Sequence, residues 1–228
     1  MEKYYYLLID FFTILFPFLL SFDKKVAFYK HWKNLAYGLL IGGLVFLIWD
    51  HVFTIHGVWS FNEKYISRIY IASLPIEEVL FFLVVPYACI FVVHCVEAYF
   101  PKLSEIKHLK YFWLLVYAFS IFMLIKYHDR LYTLITFALL AIISFIFFNK
   151  YKKWHAYFIF GYLLSLIPFF IVNGLLTSIP IVLYDDTENI AFRWGSIPFE
   201  DSFYMMALLM LNAWVMRGVS ISTQPLDH

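Results

Sequence analysis

The chain has 228 residues, of which 63% are hydrophobic and 14% charged, with a formal net charge of +1. An ordinary soluble domain is about 45–50% apolar and about 25% charged, so this balance excludes a soluble globular protein. The basic residues are scattered between apolar runs and form no stripe interleaved with aromatics, which excludes a nucleic-acid-binding surface.

Apolar runs of about 20 residues recur along the length, each long enough to cross a bilayer core. The chain reads as all-α and polytopic, with seven spans at 4–22, 34–53, 76–98, 111–127, 131–149, 156–177 and 199–217. The first is a span and not a cleaved signal, because it lacks a small-residue cleavage site and is followed by Lys24 and Lys25. Span 2 carries Gly38, Gly42 and Gly43, which suit helix packing and, with no strand before them, not a nucleotide fingerprint. It closes on Trp49-Asp50 and Thr54. Around the end of this span, Asp50, His51, His56 and Glu63 have no spacing that demands a metal. Ser73-Leu74-Pro75-Ile76-Glu77-Glu78 then opens span 3, which holds Cys89 and Cys95 as buried thiols.

Spans 4 and 5 have no interior charge except Lys126 at an edge. Span 6 ends near Asn173 and Thr177. The loop after it contains Asp185-Asp186-Thr187-Glu188, which has a poor partner in Asn62-Glu63-Lys64-Tyr65 and reads as solvated, not as a diphosphate clamp. Ser196-Ile197-Pro198-Phe199-Glu200-Asp201 opens span 7, which has no lysine for a retinal Schiff base. His94, Glu97 and Arg217 near the opposite ends of their spans are expected to snorkel.

The two acidic motifs lie 123 residues apart, and the same offset aligns Lys30, Gly38, Leu40, Phe46, Ile48 and Thr54 with Lys153, Gly161, Leu163, Phe169, Ile171 and Thr177. The chain is therefore expected to be a parallel 3+1+3 internal repeat in a single membrane domain, 1–228. Repeat 1 covers about 1–100, the connector helix about 111–127 and repeat 2 about 127–223. Eleven basic residues fall in the loops of one side and six on the other. The positive-inside rule puts the eleven in the cytoplasm, giving an outside N-terminus and a cytoplasmic C-terminus in a multi-pass cell-membrane protein. Both acidic motifs then open toward the non-cytoplasmic half of the bilayer.

Serine, proline and two acids also make a serviceable helix start. A cap needs only one polar residue, however, and each copy keeps two adjacent carboxylates in an expensive place. Adjacent helical residues point about 100° apart, so at most one of each pair can face a shared cavity. Asp50 and its counterpart Asn173 lie at the same depth. A carboxyl pair in an apolar pocket can divide the roles of acid and base with no cofactor. Most of the 23% aromatic residues are anchors or packing. Phe81, Phe82, Phe203, Tyr204, Trp49 and Trp59 are near enough to the motifs to face a cation with their rings.

Trp49-Asp50 with Thr54, then Pro75-Ile76-Glu77-Glu78-Val79-Leu80-Phe81-Phe82, resembles the first half of the small integral-membrane lycopene cyclases. Asn173 with Thr177, then Pro198-Phe199-Glu200-Asp201, resembles the second half. The resemblance spans essentially the whole chain, including the duplication. It implies a lycopene β-cyclase, an isomerase-type enzyme of carotenoid biosynthesis that needs no cofactor and no metal. It makes Glu77, Glu78, Glu200 and Asp201 the catalytic candidates. Asp50, Asn173, Thr54, Thr177, Phe81, Phe82, Tyr204 and Trp49 become candidates for binding or orienting a substrate. The implied partners are a lipid-soluble carotenoid and membrane lipids, with other carotenoid-synthesis enzymes as candidate neighbours. Some members of the family hydrate the carotenoid end instead of closing it, and the motifs do not separate the two reactions. A seven-helix transporter or sensory receptor, with the acids as a proton relay, is the alternative from another class.

Overall fold

The structure is a computed structural model that describes residues 2–222. Among the described residues, seven helices are long and apolar enough to cross a membrane. They are α1 (Tyr5–Leu20), α2 (Trp32–Ile55), α3 (Ile76–Tyr99), α4 (Lys110–Lys126), α5 (Leu131–Asn149), α6 (Trp154–Ser178) and α7 (Phe199–Ser222). Each falls on one expected span. The largest difference is at α7, which runs on past the expected end at Arg217. The charge that marks the edge of the apolar run does not end the helix, because Arg217 forms an ion pair with Glu97 of α3.

Among the described residues, six short strands fold the loops back over the bundle. β1 (Trp59–Phe61) and β4 (Val182–Tyr184) pair antiparallel, with Trp59 opposite Tyr184, and so clip the two long loops to one another. β2 (Tyr70–Ile71) and β3 (Leu74–Pro75) form one tight hairpin, while β5 (Arg193–Trp194) and β6 (Ile197–Pro198) form another. Each hairpin turns on two residues, Ala72-Ser73 and Gly195-Ser196. The first of each pair is left-handed, with φ of 56° at Ala72 and 65° at Gly195. Two-residue hairpin loops demand such a residue. Glycine meets the demand freely and alanine at a cost of about 1–2 kcal/mol. Sequence periodicity gives no sign of strands this short.

Helix α2 packs on α7, α3 on α6, α1 on α3, α5 on α7, and α4 lies against α5. Two of these crossings are close. A Cβ on Gly38 of α2 would sit 2.7 Å from the Asn212 carbonyl oxygen of α7. One on Gly161 of α6 would meet the Val93 Cα of α3 at 2.8 Å. Small residues at helix crossings let backbones approach in this way. Phe46, Phe82, Ile90, Phe158 and Leu209 fill the core between the helices.

At the end of the bundle away from the acidic motifs, His94 is buried against Phe28 and the ring of His31. The outward snorkelling expected of His94, Glu97 and Arg217 is replaced by contacts among neighbours. Cys89 and Cys95 are free thiols. Replacing Gly38 or Gly161 by alanine should lower stability by about 1–3 kcal/mol, since at each site the obstructing atoms include backbone. Thermal unfolding in detergent against the unmodified chain measures this.

Candidate active site

In the acidic motifs, serine and the first acid do different work from a simple helix cap. The Ser73 hydroxyl pairs with His51 Nδ1 at 2.7 Å, and the Ser196 hydroxyl with Thr177 Oγ1 at 2.7 Å. Each serine thus ties its hairpin to the end of the preceding helix. Glu77 is fully buried and accepts the Ser67 backbone N–H at 2.7 Å. Glu200, equally buried, accepts the Ile190 N–H at 2.9 Å and the Thr133 hydroxyl at 2.5 Å. Both first acids turn away from the bundle centre to hold the incoming loop. Their remaining oxygens have no hydrogen-bond partner.

The second acid of each motif turns the other way. Glu78 and Asp201 line the same chamber, together with Asp50 and Asn173. Tyr6 of α1 donates to Glu78 Oε2 at 2.5 Å. Three donors converge on Asp201: Tyr132 on Oδ1 at 2.7 Å, then Asn173 Nδ2 at 2.6 Å and Tyr184 at 3.0 Å on Oδ2. The remaining wall is aromatic, with Trp59, Phe61, Phe81 and Tyr204. Tyr204 packs edge-on to Phe46 and Trp49 at 4.9 and 4.7 Å. The enclosed space is about 50 Å³.

Not every residue singled out from the sequence reaches this chamber. Trp49 stands behind Tyr204 as its outer support, and Phe82 is buried in the core beside it. Thr54, Thr177 and Phe203 are also outside the lining. His51 is taken up by Ser73, and the Asp185–Glu188 loop satisfies itself. Glu188 accepts the Leu131 N–H at the start of α5, and Asp186 pairs with Arg193. The Thr187 hydroxyl and backbone N–H hold the exposed Asp185 carboxyl below its usual value.

Several polar side chains around the acids, Thr133 on Glu200 among them, were not singled out from the sequence. Tyr6, Tyr132 and Tyr184 supply donors, and their chemistry was hidden among 18 tyrosines that mostly serve as anchors. Asp10 was legible, as an acid in the middle of the first apolar span. It lies one helical turn beyond Tyr6 on the same face, is 3% exposed, and neither carboxyl oxygen has a partner.

Fold and site together define a multi-spanning membrane protein with buried carboxyls around one aromatic-walled chamber. The family model described as lycopene cyclase matches residues 3–96 and 129–219, so the chain belongs to the lycopene cyclase family. No curated protein and no solved structure matches it. Membership carries a carotenoid cyclase role and a lipophilic carotenoid substrate.

The division of labour within each motif is testable by stability. Glu77→Ala strands the Ser67 N–H and should cost about 1–3 kcal/mol. Glu78→Gln keeps an acceptor for Tyr6 and should leave thermal unfolding nearly unchanged.

Proposed function

We propose that the protein is a lycopene β-cyclase in which Glu78 and Asp201 are the acid and base. The observation that carries this reading is that one carboxyl from each motif faces the same chamber while its neighbour is spent on a loop. Three donors on Asp201 suit an acceptor-only carboxylate, and we assign it as the base. Glu78, held by Tyr6, delivers the proton.

Protonation occurs at C2 of the terminal 1,2 double bond of a linear carotenoid and leaves a cation at C1. The 5,6 double bond attacks C1, the C1–C6 bond closes a six-membered ring, and the charge moves to C5. Loss of the C6 proton to Asp201 restores a 5,6 double bond and gives the β-ring. Substrate and product are isomers, no electrons are gained or lost, and no cofactor takes part. The rings of Trp59, Phe81 and Tyr204 face the passing cation and keep water from it. Asp50 and Asn173 orient the pair. Glu77 and Glu200 serve the site by fixing the hairpins that carry Glu78 and Asp201.

The chain is read as a single membrane domain built as a parallel 3+1+3 repeat. In support, the two hairpins, their left-handed residues and the N–H bonds to Glu77 and Glu200 all recur at an offset of 123 residues. The matched blocks also pass over α4. The loop charges place the N-terminus outside, the C-terminus in the cytoplasm, and the chamber in the outer half of the bilayer.

Expression in cells that accumulate lycopene tests the chemistry. A cyclised pigment of the same mass as lycopene is the expected product. A pigment heavier by one water and hydroxylated at C1 would make the protein a hydratase, with water capturing the C1 cation. Unchanged lycopene alongside confirmed protein would exclude both.

A further inference from the structure

The chamber is small for its task. A cavity that accepts benzene measures about 150 Å³, three times the space enclosed around Glu78 and Asp201. The chamber therefore cannot hold a whole polyene, and the remainder of the chain must lie elsewhere. A second cavity, about 430 Å³, runs beside the chamber between α1, α3 and α6. It shares Phe81, Val85, Phe169 and Asn173 with the chamber wall, so the two adjoin at these side chains. From Phe81 to Val92 it follows α3 for about 16 Å at 1.5 Å per residue. Its remaining lining is almost wholly apolar, with Phe12, Phe16, Ala88 and Pro168 prominent.

The opposite flank is built differently. A depression between α2 and α5 is lined by Val45, Ile48, Trp49 and Val52, which lie 123 residues before Pro168, Ile171, Val172 and Leu175 of the first groove. It shares no lining residue with the chamber. Trp49 occupies the place that Val172 holds in the first groove, and Tyr204 the place of Phe81. The Trp49 ring packs on Phe46, Phe53 and Tyr204 at 5.1, 5.6 and 4.7 Å and closes that side.

We propose that the groove between α1, α3 and α6 is the binding site for the unreacted arm of a linear polyene, and that among the described residues it is the lateral way to the acids. The arm lies along α3 while the terminal group enters past Phe81 and Phe169. A polyene needing two rings must leave and return with its other end foremost. This inference rests on the cyclase reading for its chemistry but not for its binding site.

The test uses the full chain in phosphatidylcholine vesicles, with lycopene as the probe. Binding is read from the induced circular dichroism of the polyene, and turnover from pigment analysis. Ala88→Leu and Ala88→Trp fill the groove in two steps. The dichroic band should weaken in that order, with KM raised at least tenfold for Ala88→Trp. Ile48→Trp on the α2–α5 flank should leave both readouts within twofold of the unmodified chain. If Ala88→Trp does not fold, Ala88→Leu and Phe12→Trp carry the same expectation. Full binding in the folded groove variants, or loss of binding in Ile48→Trp, would overturn the proposal. Binding that follows the groove variants without any cyclised product would uphold the site and sink the cyclase reading instead.

Discussion

The structure is organised by the need to keep carboxyl groups inside an apolar bundle. Glu77, Glu78, Glu200, Asp201, Asp50 and Asp10 are all buried at the same end of the helices. An ionised or unpaired carboxyl in such surroundings costs several kcal/mol unless donors surround it. The fold supplies donors to Glu77, Glu78, Glu200 and Asp201 from three sources and leaves both oxygens of Asp10 without one. Backbone N–H groups of the loops serve Glu77 and Glu200, tyrosines from α1, α5 and β4 serve Glu78 and Asp201, and Asn173 of α6 completes the shell of Asp201. The strand pair between the long loops and the two hairpins hold these donors in place. They form a lid of irregular backbone, tolerated at a membrane face because its own polar groups are paired.

With the chain read as a parallel repeat, its two halves differ in a way that suits the proposed asymmetric reaction. The first half brings Asp10, Asp50 and Glu78, with Tyr6 as the donor on Glu78. The second brings Asp201 with three donors and places the neutral Asn173 where the first half has Asp50. A proton donor and a proton acceptor need different surroundings, and the unlike settings of the two acidic motifs suit the proposed roles. The flanks differ in the same sense. Trp49 and Tyr204 pack ring on ring on one side, while on the other Phe81 lines both the chamber and the groove and Val172 lines the groove.

Much of this was legible from residues alone. The seven helices follow from apolar runs, since a bilayer admits little else. The doubled acidic motif led to the chamber, and the 100° step between neighbours on a helix anticipated that one acid of each pair would turn away. Other features left no trace in the pattern. The strands are two or three residues long, below any periodicity. Tyr6 and Tyr132 look like interface anchors until their hydroxyls are seen on Glu78 and Asp201. Asp10 broke an apolar span in plain view. Thr54, Thr177 and Phe82 carry the family resemblance yet lie outside the chamber: Thr177 ties a helix end to Ser196, Phe82 packs in the core, and the Thr54 hydroxyl is buried without a partner.

The central claim is that the carboxyls of Glu78 and Asp201, which line one chamber, move the protons of the reaction. Its most direct test is the single-turnover rate of Glu78→Gln and Asp201→Asn in purified membranes, beside the unmodified chain. Loss of a positioned acid or base should slow ring closure by about 100-fold or more in each, with the helices intact by circular dichroism. Ring closure at an undiminished rate in either variant would contradict the account.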